Sequence, residues 1–426
     1  MKSAFFRKNV VDGRLLGGEL LPHDQWPEGL PAEGWKAVVE HPRIPFVSYP
    51  YEWPFSMLRD AALLQLDLLR EALYEDFTSK DASSFNVQWQ GARPVFIDLS
   101  SFERWEPGDP WAGYRQFCQM FLNPLLLESL RGVSARPWLR GRLEGLEPET
   151  CARLLRIREL ARPAVFRHVW LHALFLRRFR HARQTRATLA GSGFTKDMIL
   201  VNLEGLYRLV SSLRPRKERS DWSGYTLENS YSPEDREAKR GFVLEAVSSR
   251  RRPLIWDLGA NTGEYSRLVA PHADYVVAMD ADAASVESLY AGLQRDHVSN
   301  VLPLVLDLAD PSPNQGWRQR ERGSLTERDR PDLVLCLALL HHLIIGANVP
   351  ISEVLGWLSQ FGGELVIEFV GKADPMAQRL LQNKRDQYDD YTEERFELLL
   401  ARSFLIRRKV TLSSGTRALY LAESRS

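Results

Sequence analysis

Over the second half of the chain, short apolar runs alternate with longer stretches whose apolar positions recur at helical spacing. The runs are Leu254–Leu258, Tyr275–Met279, Leu302–Leu306, Leu333–Leu337 and Glu364–Phe369, closed by Phe404–Val410 and Ala418–Leu421. Strands alternating with helices predict βαβ units and a parallel sheet. The first half is less regular. Residues 1–50 are punctuated by Gly and Pro and hold little periodicity. A helix is predicted from about Phe55 to Leu73, then a polar loop, then a short strand at Arg93–Ile97. Residues 131–190 read as Arg-rich helix, with pairs such as Arg177–Arg178 set among Leu, Phe and Trp. Residues 212–240 are strongly charged and read as a linker entering a helix near Pro233. No internal repeat is visible.

A chain of 426 residues predicts two or three domains. With 56 basic and 55 acidic residues the net charge is close to zero, which argues for neither nucleic acid nor membrane as partner. Cys118, Cys151 and Cys336 are far apart and form no CxxC pair. That pattern predicts neither disulfide framework nor zinc site, and a reducing cytoplasm is the expected compartment. No apolar run approaches the roughly 20 residues that span a bilayer. The basic start MKSAFFRKNVVDGR is broken too early by charge for a signal peptide.

The sharpest signal is PLIWDLGANTGEYSRLV, residues 253–269. An apolar strand leads to Asp257, a turn containing Gly259 and Gly263, and a new helix. A dinucleotide fingerprint needs glycines at 259, 261 and 264, where this chain has Gly259, Asn261 and Glu264. A carboxylate at Asp257 repels a pyrophosphate and suits a ligand that carries an ammonium group. The second strand ends at Asp280, placed to accept hydrogen bonds from ribose hydroxyls. The third ends at Asp307, near where an adenine amino group would lie.

With those residues the segment from about 253 to 426 resembles the class I S-adenosylmethionine-dependent methyltransferases. The motifs are DLGANTG at 257–263, MDAD at 279–282, DLVLCLALLHHL at 332–343 and GGELVIEFV at 362–370. The resemblance implies an α/β, Rossmann-like seven-stranded sheet whose last strand is antiparallel, with S-adenosyl-L-methionine as cofactor. It places Asp257, Gly259, Asn261, Gly263, Asp280, Ala281, Asp307, Leu308 and Leu337 at the cofactor. Asn261 stands where a glycine is common in that family, and asparagine tolerates left-handed backbone angles.

Methyl transfer to oxygen or nitrogen needs alignment and a base. The ends of the fourth and fifth strands offer His341, His342 and Glu368, of which His342 and Glu368 are the catalytic candidates. Burial of Glu368 within LVIEFV is expected to raise its pKa. Arg379, Arg385 and Tyr391, in the insert after the fifth strand, are candidate substrate contacts. Trp222, Tyr225 and Tyr231, before the first strand, are candidates for a cover over the cofactor.

In the N-terminal half, SKDASSFNVQWQGARPVFIDLSSFE spaces Asp81, Asn86 and Asp98 much as kinase-like phosphotransferases space a catalytic Asp and two magnesium ligands. Ser79 and Lys80 precede the first Asp, no Gly-rich phosphate loop is present, and Lys36 is the nearest strand-lysine candidate. The reading is therefore a degenerate kinase-like C-lobe with an incomplete N-lobe and a vestigial magnesium site at Asn86 and Asp98; no other metal site is expected. The expected organisation is an α+β kinase-like module at 1–130, an Arg-rich helical region at 131–220 and the methyltransferase domain at 221–426.

More loosely, SYPYEWPFSML, SKDASSFNVQ and GYRQFCQMFLNPLLL with such a C-terminal half resemble a bacterial family of nodulation-type methyltransferases. The expected acceptor is an oxygen or nitrogen of a small molecule or glycan-like metabolite. RNA or protein gripped by the Arg-rich helices, a bifunctional kinase–methyltransferase and a non-catalytic cofactor-binding scaffold are the alternatives. No membrane partner is expected, and the sequence does not set the oligomeric state.

Overall fold

The amphipathic pattern that opens at Phe55 becomes a 20-residue helix, Phe55–Tyr74, in the computed structural model of the chain. Residues 3–30, 34–178, 195–216, 231–382 and 384–425 are described. Two units are distinguished. The first comprises residues 1–51, 55–89 and 94–217, and the second residues 52–54, 90–93 and 218–426. The Arg-rich stretch thus belongs to the same unit as the residues before it and does not stand as a separate region.

In the first unit, the Phe55–Tyr74 helix buries Leu58, Ala61, Leu66, Leu69 and Leu73, and packs against the helix Lys196–Ser212. The latter presents Ile199, Leu203, Leu206 and Val210 on one face, the spacing of an amphipathic helix. Strands β1 (Glu19–Leu20) and β2 (Val39–Glu40) pair near the start of the unit. Strand β3 (Phe77–Ser79) pairs with β6 (Phe102–Arg104), and between them β4 (Val87–Gln90) pairs with β5 (Arg93–Phe96). A ring cluster of Phe5, Phe6, Phe77, Phe96 and Phe102 fills the space beneath, its members meeting edge to face.

The second unit is built on a seven-stranded sheet. Its strands are β7 (Arg252–Leu258), β8 (Ala273–Asp280), β9 (Val301–Val305), β10 (Leu333–Cys336), β11 (Glu364–Val370), β12 (Phe404–Thr411) and β13 (Arg417–Ser424). Their spatial order is β12-β13-β11-β10-β7-β8-β9. Every pairing from β9 to β11 is parallel, and β13 runs antiparallel to both its neighbours. The predicted runs all became strands. The five parallel strands read as nearly unbroken apolar runs because helices cover both faces of a parallel sheet, whereas the edge strand β12 (FLIRRKVT) is mostly exposed. The chain winds from β7 outward to β9 and then crosses to β10. The strand order therefore reverses between β7 and β10, the place where such sheets bind ligands. Among the described residues no helix is long and apolar enough to cross a membrane.

Candidate functional site

The turn after β7 is shaped by residues in left-handed backbone: Gly259 at φ 76°, Asn261 at φ 50° and Gly263 at φ 81°. At Gly263 the left-handed φ favours glycine, and a Cβ there would also lie 2.3 Å from Leu289 Cδ1 on the helix Ala283–Arg295. The turn amides are all used internally. Those of Gly259 and Ala260 donate to the Met279 carbonyl, that of Asn261 to Asp280 Oδ2, that of Thr262 to Asn261 Oδ1 and that of Gly263 to the Ala260 carbonyl. A pyrophosphate held by this loop would need those amides free. The structure thus adds to the charge argument a second reason why the loop is not a dinucleotide cradle.

Asp257 ends β7 almost fully buried, and its Oδ2 accepts a 2.5 Å hydrogen bond from the Ser266 hydroxyl. Burial pushes its pKa up to about 6, opposed by the Ser266 hydroxyl and the Lys239 ammonium. Asp280 ends β8 with one oxygen on the Asn261 amide and the other on the Asp282 amide, both at 2.8 Å. Each oxygen keeps a lone pair for a hydroxyl. Ala281 is exposed beside it. Asp307 is exposed and caps the turn after β9 through the Ala309 amide at 2.9 Å. Leu308 is half-buried beside it, and Leu337 is buried just past the end of β10. This donor set fits S-adenosylmethionine: a buried acid for its ammonium, Asp280 for its ribose, and no phosphate cradle.

Below pH 6 Asp257 gains a proton and loses the charge that would face an ammonium. Affinity for S-adenosylmethionine should therefore fall by close to tenfold per pH unit on the acid side of that value, following one linked proton. Calorimetric titrations on either side of it, with Asp257→Asn as a control lacking the slope, check this.

The ends of β10 and β11 carry the remaining candidates. His341 is fully buried and neither ring nitrogen has a hydrogen-bond partner. Its ring lies 4.1 Å from that of His342. Burial, with the positive charges of Arg417 and Lys239 nearby, holds its pKa well below the ordinary value, and burial and Arg417 lower His342 to about 4. Both imidazoles are neutral at pH 7.

Glu368 differs from its expectation. Burial does push its pKa up, but Lys239 and Arg417 outweigh burial and hold the carboxylate below its ordinary range. Lys239 Nζ lies 2.7 Å from Oε2, Arg417 3.2 Å from Oε1, and the Tyr231 hydroxyl donates to Oε1 at 2.6 Å. Arg417 also clasps Asp374 with bonds of 2.7 and 3.0 Å. The sequence reading missed Lys239, Arg417 and Asp374. A signal was present: Lys239 follows Asp235 and precedes Phe242 on the buried stripe of the helix Pro233–Ser248.

Tyr231 belongs to this cluster, while Trp222 and Tyr225 lie outside the described residues. Tyr391 is not a substrate contact: it is buried against Phe369, and its hydroxyl is spent on the Val370 carbonyl at 2.7 Å. Arg379 and Arg385 are exposed. In the first unit Asn86 Nδ2 approaches Asp98 Oδ2 at 3.5 Å, and Asp98 Oδ1 caps a turn through Ser100. Asp81 caps its own loop through the Ser83 amide, and Lys36 is exposed.

No family model matches the sequence. Nodulation protein NoeA of Rhizobium meliloti (strain 1021) is 36% identical over 391 residues, covering 91% of this chain and 82% of that protein. The chain belongs to the NoeA family. Among solved structures, the N-methyltransferase NodS from Bradyrhizobium japonicum WM9 with S-adenosyl-L-homocysteine is 14% identical. It matches 49% of this chain and 94% of its own at a TM-score of 0.35. Magnesium protoporphyrin IX methyltransferase from Synechocystis PCC 6803 is 17% identical and matches 48% of this chain and 93% of its own at 0.33.

Proposed function

We propose that this chain is a methyltransferase that uses S-adenosylmethionine as cofactor and transfers the methyl group to an oxygen or nitrogen of a small molecule or glycan-like metabolite. The observation that carries the reading is seclusion: His341, just after β10, and Glu368, within β11, are fully buried, and β10 lies beside β7, the strand that leads into the turn. Such a place suits an acceptor group that enters, more than one presented on a broad macromolecular face. S-adenosylmethionine supplies an already activated methyl group, so the chain's own residues align the acceptor and take its proton.

Of the two catalytic candidates, His342 fits the proton step better than Glu368. A carboxylate held charged between Lys239 and Arg417 is a weak base, and its role is to keep those two cations in place. The His341–His342 pair is neutral at pH 7 and can accept a proton. His342→Gln is expected to lower kcat by about 10²-fold or more, the usual scale for a general base, with the Kd for the cofactor unchanged. An unaltered kcat would remove His342 from the mechanism.

The degenerate kinase-like reading of the first unit is supported by the pairing of β3 with β6 around the β4–β5 pair, and by the meeting of Asn86 and Asp98. In a remnant, wild-type protein binds no ATP with magnesium. Binding that vanishes in Asp98→Ala would establish a working site.

A further inference from the structure

The near-zero net charge conceals a strong local segregation. Between Glu159 and Asp197 the chain contains no aspartate or glutamate, while arginine recurs throughout. The described part of this stretch is a helix made of Pro163–Val165, a π-helical segment Phe166–Leu171 and His172–Arg178. Its inner side buries Val165, His168 and Val169. Its outer side exposes Phe166 (39%), Trp170 (39%) and Leu174 (46%), four residues apart along one face. Scattered apolar residues on a surface need no explanation, but a contiguous stripe does. Arg162, Arg167, Arg177 and Arg178 are exposed on the same helix and have no acidic partner among the described residues. Arginines before this stretch do have one, as in Arg142–Glu147 at 3.2 Å.

We propose that this helix face docks the enzyme on an anionic phospholipid surface. The apolar stripe enters the boundary between headgroups and acyl chains, and the arginines meet the phosphates. An aromatic and leucine stripe beside unpaired arginines is the chemistry of a helix that lies in a membrane interface without crossing it. A nucleic acid fits the same charge less well. The Phe166 and Trp170 rings are stacked on each other, with centroids 4.9 Å apart and planes at 16°, so each uses a face that a base would need. Leu174 continues the stripe with a side chain on which no base stacks. The docking surface is independent of the acceptor proposed above.

The test is flotation of the full-length protein with vesicles of phosphatidylcholine alone and of phosphatidylcholine with phosphatidylglycerol. Binding is expected only to the anionic vesicles and should weaken as salt rises. Arg177→Gln with Arg178→Gln should lower the partition by about thirtyfold, at roughly fivefold per charge lost near the surface. Phe166→Ser with Trp170→Ser should weaken binding without changing its salt dependence. Melting temperature and cofactor affinity, measured alongside, confirm that the variants remain folded. Wild-type binding retained by both variants overturns the proposal. So does tighter, arginine-dependent binding of a single-stranded RNA oligonucleotide in place of vesicles, or a self-association that the serine variant dissolves while vesicles never bind.

Discussion

Asp280→Ala is expected to abolish measurable binding of S-adenosylmethionine, the proposed cofactor. The carboxylate has two tasks, and alanine removes both. It holds the turn after β7 through the Asn261 and Asp282 amides, and its free lone pairs are the acceptors proposed for the ribose hydroxyls. Loss of two charge-assisted hydrogen bonds to a ligand, at about 1.5–3 kcal/mol each, weakens binding by at least about a hundredfold. Asp280→Asn keeps one acceptor oxygen and should fall between alanine and wild type. Calorimetry with the cofactor reads both. A wild-type Kd in the alanine variant would mean that the ribose is held elsewhere.

Arg417→Ala is expected to destabilise the second unit by about 3–5 kcal/mol, the range for removing one partner from a buried ion pair. Arg417 is buried between Glu368 and Asp374, and both acids are buried with it. Without it, Lys239 alone offsets two carboxylates. The pH dependence gives a second readout. Because the folded pKa of Glu368 is depressed, its contribution is present above the unfolded carboxylate value and is lost as pH falls through the folded one. In Arg417→Ala that pKa moves back up, so stability changes less steeply with pH in the acid range. Urea unfolding of both proteins across that range measures both effects. An unchanged midpoint would show that the pair contributes nothing net.

The contrast between these two residues shows what the sequence made legible. Asp280 is readable because it terminates an apolar run, and strand ends in a parallel sheet converge on one edge. Asn261 is readable because a turn with glycines at 259 and 263 leaves few residue types able to follow it. Arg417 is separated from Glu368 by 49 residues, and Tyr231 by 137. Arg417 meets Glu368 because β13 folds back antiparallel on β11, with Arg417 opposite Val370 and Leu419 opposite Glu368, while Tyr231 comes from just before the helix Pro233–Ser248. A linear pattern records that Glu368 is buried but not which charges come to it, and the sign of its pKa shift depends on those charges. The first unit was less legible for a related reason. Its strands are two to four residues long and its packing relies on edge-to-face rings, which leave no period in the sequence.

The central claim is that the second unit moves a methyl group from S-adenosylmethionine to a small acceptor. Its most direct test is incubation of the purified protein with isotope-labelled methyl donor and a bacterial extract separated into metabolite, RNA and protein fractions. The label is followed by mass spectrometry, with Asp280→Ala as the blank. The account predicts label on an oxygen or nitrogen of a compound in the metabolite fraction, absent from the blank. Label confined to RNA or protein, or no transfer by a wild-type protein that binds the cofactor, would contradict it.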